Sequence, residues 1–149
     1  MTTAELRRCR ELVTIAIVRK RILVVEDDDG LRGLYRTTLT LAGYLVEEAS
    51  DGLVALSVID NRPPDLVVLD LMLPTVSGFV VQQDIAARSR TRDIPVVIVT
   101  SQRLTDADRD ALAPRVAAIV AKDAVSAGRG AFDRVLGRLG LAVREVGRG

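Results

Sequence analysis

The chain has 149 residues, of which 48% are hydrophobic, enough for one domain with a core of ordinary size. Its 21 basic and 20 acidic side chains leave a net charge of +1, so it carries no overall electrostatic footprint for nucleic acid or an anionic membrane, and partners must be recognised locally. One cysteine, Cys9, rules out an internal disulfide framework and thiolate metal cages and suits a reducing cytosol, and the lack of histidine excludes histidine-ligated zinc, a Ser-His-Asp triad and a histidine phosphocarrier within the chain.

Residues 1–19 precede any repeating pattern. Leu6, Cys9, Val13 and Ala16 or Ile17 could line one helix face that packs on the domain or on a second copy; a loosely ordered extension is the competing reading. The apolar run Leu12 to Val18 is interrupted by Thr14, is too short to span a bilayer and lacks a cleavage site, which points to a soluble, cytoplasmic protein.

From there short apolar runs alternate with helical patterns. Ile22 to Val25, Leu66 to Leu69, Val96 to Val99 and Ala117 to Val120 are continuous apolar strands of the kind covered on both faces of a parallel sheet, and Tyr44 to Glu48 is a half-polar fifth. Between them, Leu31, Leu34, Thr38 and Leu41 share a helical face, as do Leu53, Leu56 and Ile59, and Phe132, Val135, Leu136 and Leu139. Two further helices fit Gly78 to Ser89 and Thr105 to Ala113, the latter closed by Pro114. Gly43, Asp51-Gly52, Pro63-Pro64 and Pro95 separate helix from strand. The order is β-α five times, an α/β doubly wound open sheet.

In such sheets the functional site forms beyond the carboxyl ends of the strands. There the first strand delivers Glu26, Asp27 and Asp28, the third Asp70, the fourth Thr100 and Ser101, and the fifth Lys122. Each alone has a bland reading as a cap, a strand-end hydroxyl or a surface charge; on four strand ends of one edge they form a set. Carboxylates without nitrogen or sulfur ligands make a hard, oxygen-only site suited to Mg²⁺. A cation among the acids relieves a repulsion that would otherwise weaken the site or raise a carboxylate pKa. Asp70 is then a candidate nucleophile for phosphorus, with Thr100 donating a hydrogen bond and Lys122 an ion pair.

From about Lys20 to Gly140 the chain resembles the receiver domains of bacterial two-component response regulators. The resemblance is carried by Arg21-Ile-Leu-Val-Val-Glu-Asp-Asp28, Ala42-Gly-Tyr44 with Ala49-Ser-Asp-Gly52, Pro64-Asp-Leu-Val-Val-Leu-Asp-Leu-Met-Leu-Pro74 with Gly78-Phe79, Pro95-Val-Val-Ile-Val-Thr-Ser101, and Lys122. It implies a flavodoxin-like five-stranded parallel sheet of order 2-1-3-4-5 flanked by five helices. It further implies Asp70 as acceptor of a phosphoryl group from a histidine kinase or histidine phosphotransfer protein. Glu26, Asp27, Asp70 and the main-chain carbonyl of Met72 would bind Mg²⁺, Asp27 most directly, while Thr100 and Lys122 contact the phosphoryl group. With no histidine the chain receives and cannot initiate.

Two positions depart from the family. Ile119 stands where receivers usually carry an aromatic residue that couples phosphorylation to the fourth and fifth strands and helix, and Asp123 stands where a cis proline is common. A trans bond is expected at Asp123, since a non-proline cis bond costs about 3–4 kcal/mol, and Asp123 could pair with Lys122. Gly128, Gly130 and Gly137 suggest a short or frayed last helix.

The reading that follows is residues 1–19 as an extension, 20–140 as a receiver domain and 141–149 as a tail. The chain is then expected to be a stand-alone phosphoacceptor switch, not an enzyme acting on other substrates. It would work through a downstream protein target, without direct nucleic-acid or membrane binding, since no output domain fits after Gly140; a homodimer remains open. The alternative is a receiver-like adaptor independent of phosphorylation. A phosphatase with an aspartyl nucleophile is remote, because Met72 stands where such enzymes place an acid.

Overall fold

Each predicted alternation of strand and helix is realised, and side chains cap the N-termini of the first four helices. The computed structural model describes residues 2–4, 19–126 and 130–140; the proposed helix face between Leu6 and Ile17 and the tail 141–149 lie outside the described residues. The elements are β1 (Arg21–Val25), α1 (Asp29–Leu41), β2 (Leu45–Ala49), α2 (Gly52–Asn61), β3 (Leu66–Leu69), α3 (Gly78–Ala87), β4 (Val96–Thr100), α4 (Asp106–Leu112), β5 (Ala118–Ala121), α5 (Lys122–Ser126) and α6 (Gly130–Arg138). All strand pairs are parallel, in the order β2-β1-β3-β4-β5 expected of a flavodoxin-like sheet.

Asp28, Asp51, Ser77 and Thr105 cap α1 to α4 by accepting the amides of Leu31, Val54, Val80 and Asp108, and Thr105 and Asp108 close a reciprocal capping box. Six helices follow the described strands where five were expected. The extra one, α5, begins at Lys122 directly after β5. Every described peptide bond is trans, that before Asp123 included, and with no proline there the chain turns straight into a helix whose Ala124 amide is taken by the Asp123 carboxylate at 3.0 Å.

Strand alternation splits the core into two layers. Ile22, Val24, Leu66, Val68, Val97 and Val99 face α1, α5 and α6 together with Tyr35, Leu39, Val125, Phe132, Val135 and Leu136. Leu23, Val25, Val67, Leu69, Val96 and Ile98 face the other way, onto Ala55, Ile59, Val81, Ile85, Leu104 and Leu112.

Two expected helix faces are corrected. In α1 the buried residues are Tyr35 and Leu39, while Leu34 and Leu41 are 43% and 67% exposed. In α2 Ala55 and Ile59 are buried, whereas Leu53 is exposed. Both helices carry more apolar residues than one stripe can bury, so the three-and-four spacing fits two faces and the sheet selects one. The last helix buries Phe132, Val135 and Leu136 as its pattern requires.

Candidate functional site

The four acids that end β1 perform four different tasks. Glu26 is 1% exposed, and its amide donates to the Ala49 carbonyl at 3.1 Å, prolonging the sheet by one residue. Asp27 is exposed beside it. Asp28 caps α1 and Asp29 pairs with Arg32, so neither joins the cluster, a correction for Asp28. Arg32 in turn donates from Nη1 to the Glu26 carbonyl at 3.0 Å, fastening the first turns of α1 to the strand end.

Asp70 follows β3 immediately, and its amide donates to the Val25 carbonyl at 3.0 Å, which pins it alongside Glu26. Its Oδ1 accepts the Met72 amide at 3.1 Å, so the loop after the strand wraps onto the carboxylate. The wrap depends on Gly78: a Cβ there would lie 2.1 Å from the Asp70 carbonyl oxygen and 2.6 Å from the Leu71 Cα. No side chain fits in that space.

Parity explains the direction of Lys122, which follows β5 immediately as the first residue of α5. Ala118 and Val120 pack on the α1 and α6 layer, and a residue two further on continues to that side, the side of Glu26 and Asp70. Lys122 Nζ donates to Glu26 Oε1 at 2.9 Å and to Asp70 Oδ2 at 2.8 Å, with both carboxylates 1% exposed. The expected pairing with Asp123 is therefore absent, because Asp123 turns outward to its own helix start. Thr100, on the opposite parity at the end of β4, is 5% exposed and accepts the Gln102 amide at 3.1 Å through Oγ1, which leaves its hydroxyl proton available.

Burial raises the Glu26 pKa from 4.5 to about 7; the Lys122 hydrogen bond opposes the shift and the Asp70 charge adds to it. Desolvation is thus the main cause, ahead of the carboxylate repulsion expected from sequence. Burial pulls the Lys122 ammonium down, but the hydrogen bonds to Asp70 and Glu26 outweigh it and hold its pKa above the ordinary value.

Glu26, Asp27 and Asp70 each offer an oxygen within 4.8 Å of the others, a spacing able to hold one metal ion. Glu26 Oε2 is buried and has no hydrogen-bond partner. Such an orphaned oxygen is costly unless a cation or its water shell satisfies it. An oxygen-only donor set that includes this unpartnered oxygen fits Mg²⁺. Met72 lies next to this group by its backbone, and its side chain is 58% exposed.

At the two departures, Ile119 packs against the layer opposite the site, beside a cavity of about 80 Å³ lined also by Thr100, Gln102, Leu104 and Arg109. Two contributors escaped the sequence reading. Arg32 had a signal in its spacing from Asp29. Tyr35, a buried tyrosine whose hydroxyl has no partner, is noticeable only because the chain has four aromatic residues among 149.

A family model, the response regulator receiver domain, matches residues 22–127, and the chain belongs to that family. Receivers are phosphoacceptor signalling domains that work with histidine kinases or phosphotransfer proteins, and phosphorylation and Mg²⁺ binding are typical of them. The chain is 43% identical over 81 residues to the DNA-binding dual master transcriptional regulator RpaA of Synechocystis, matching 54% of this chain and 34% of that one. It is 42% identical over 99 residues to the response regulator MprA of a Mycobacterium species, matching 66% of this chain and 39% of the relative. It therefore spans between a third and two fifths of these relatives' length. Among solved structures, the receiver domain of the sensor histidine kinase PA1611 of Pseudomonas aeruginosa, which holds a magnesium ion in its active-site cleft, superposes with a TM-score of 0.71 at 25% identity over 81% of this chain and 97% of that one. The chemotaxis response regulator CheY4 of Vibrio cholerae shares the fold, with a TM-score of 0.73 at 23% identity over 82% of this chain and 99% of that one. Among the described residues no helix is long and apolar enough to cross a membrane.

Proposed function

We propose that Asp70 accepts a phosphoryl group from a partner histidine kinase or histidine phosphotransfer protein, within a receiver unit of residues 20–140, and that the phosphorylated chain acts on a downstream protein. The observation that carries this reading is the Lys122 ammonium held between two buried carboxylates, Glu26 and Asp70, beside the exposed Asp27. Glu26, Asp27, Asp70 and the Met72 main-chain carbonyl would hold Mg²⁺, which when bound offsets negative charge on the phosphoryl oxygens. A carboxylate oxygen of Asp70 attacks phosphorus in line as the bond from phosphorus to the donor's nitrogen, or to a small acyl donor's oxygen, breaks, and the donor leaves with that electron pair. Lys122, freed from the Asp70 charge, turns to a phosphoryl oxygen, and the Thr100 hydroxyl donates a hydrogen bond to another.

The nearly balanced charge of the chain supports a protein over a nucleic acid as the next partner. Ile119 favours a second reading, an adaptor fixed in one state, because the usual aromatic lever is missing. Incubation with acetyl phosphate separates the two. A phosphoryl acceptor labels with Mg²⁺, fails with chelator and fails as Asp70→Asn; an adaptor binds its partner equally well as wild type and as Asp70→Asn.

A further inference from the structure

The layer that holds Glu26 also holds a second stranded oxygen. The Tyr35 hydroxyl and Glu26 Oε2 are both buried without a hydrogen-bond partner, each at a cost that a folded chain normally avoids. Ile22, Val24 and Glu26 alternate onto one side of β1, and Tyr35 lies in the cluster formed by Ile22 and Val24. Arg32, one turn before Tyr35 on α1, is fastened to the Glu26 carbonyl, so the face of α1 that carries Tyr35 is the face presented to Glu26. Burial pushes the Tyr35 hydroxyl up to about 12, and the nearby Glu26 charge adds to it. On its other side the Tyr35 ring meets Phe132 edge to face, with centroids 5.4 Å apart and planes at 84°. Phe132, with Val125, Leu34 and Leu41, lines a surface groove of about 170 Å³ between α1 and the α5–α6 segment.

We propose that Tyr35 is a positioning residue that couples the phosphoacceptor site to the α1–α6 groove, in the place of the lever that Ile119 cannot supply. The inference rests on the phosphoacceptor reading above. In the resting chain Lys122 holds Glu26. When Lys122 turns to a phosphoryl oxygen, Glu26 Oε1 loses its only hydrogen-bond donor among the described side chains, and the Tyr35 O–H supplies the replacement there, while Oε2 is the oxygen left to Mg²⁺. The ring follows its hydroxyl, and Phe132 passes the displacement to the groove.

Beryllium fluoride with Mg²⁺ serves as the probe, read by tyrosine emission, since the chain has no tryptophan and only Tyr35 and Tyr44 as tyrosines, and by the backbone amide shift of Phe132. Wild type should bind with a change in emission and a shift at Phe132. Tyr35→Phe should lose both signals and bind about tenfold more weakly, the effect of one hydrogen bond to a charged group, while its urea midpoint is unchanged or higher because a stranded hydroxyl has gone. Tyr44→Phe should retain the emission change. If wild type binds and Tyr35→Phe binds equally with the Phe132 shift intact, the coupling is refuted and the phosphoacceptor reading stands. If wild type binds no beryllium fluoride, both fall.

Discussion

Replacing Lys122 by methionine removes the one side chain among the described residues that hydrogen-bonds both buried carboxylates, Glu26 Oε1 at 2.9 Å and Asp70 Oδ2 at 2.8 Å. Breaking a buried ion pair from one side costs about 3–5 kcal/mol when the stranded charge has no escape. Here Glu26 has one. Its pKa is already raised from 4.5 to about 7 with Lys122 in place, and losing the opposing hydrogen bond raises it further. The folded state then binds a proton that the unfolded state releases near 4.5, so stability falls as pH rises through the window between the unfolded and folded values. For wild type that shift alone corresponds to about 3 kcal/mol across pH 4.5 to 7. The lysine contribution runs in the same direction at higher pH: with its folded pKa raised, it is fully present below the ordinary lysine value and is lost only as pH rises through the folded one. Urea denaturation of Lys122→Met at pH 5, 6, 7 and 8 should therefore show a loss against wild type that grows from about 1 to about 3–5 kcal/mol with rising pH, and Mg²⁺ should recover part of it at pH 8. A loss that is equal at every pH, or indifferent to Mg²⁺, would refute the claim that Lys122 neutralises the acidic cluster.

Gly78→Ala puts a methyl group into the Asp70 carbonyl; it should lower stability by about 2–3 kcal/mol by thermal melting and slow labelling from acetyl phosphate together. Ile119→Phe should cost under about 1 kcal/mol in urea denaturation, because the ring can extend into the adjoining cavity of about 80 Å³. Asp123→Asn should leave the phosphorylation rate within about twofold in a labelling time course, since Asp123 bonds the Ala124 amide and not Lys122 and the asparagine side-chain oxygen can accept the same amide. Thr75→Gly should raise the urea-derived stability by up to about 1 kcal/mol, as Thr75 sits at φ 69°, where a β-branched residue is strained.

Continuous apolar runs at β1, β3 and β4 made the sheet legible, because burial on both faces leaves no room for polar residues in a strand. The site was legible for a related reason: Glu26, Asp70, Thr100 and Lys122 each break an apolar or small-residue run at its carboxyl end. Helix faces were harder. Spacing alone favoured Leu34 and Leu41 in α1, yet the sheet takes Tyr35 and Leu39, a choice made by contacts far away in sequence. The tasks of neighbouring acids were equally hidden, since whether Asp28 joins the cluster or caps a helix depends on where α1 starts. Tyr35 shows the limit most clearly: its stranded hydroxyl exists only once β1, α1 and α6 have been assembled around it.

The most direct measurement exploits the chemistry of an acyl phosphate. The chain is phosphorylated with a histidine-phosphorylated donor protein in the presence of Mg²⁺, reduced with borohydride, which converts an aspartyl phosphate to homoserine, and mapped by peptide sequencing. Homoserine at position 70, abolished by chelator, is the expected result. Homoserine at Asp27 or elsewhere, or none in a chain that has demonstrably taken up phosphate, would contradict the assignment of Asp70.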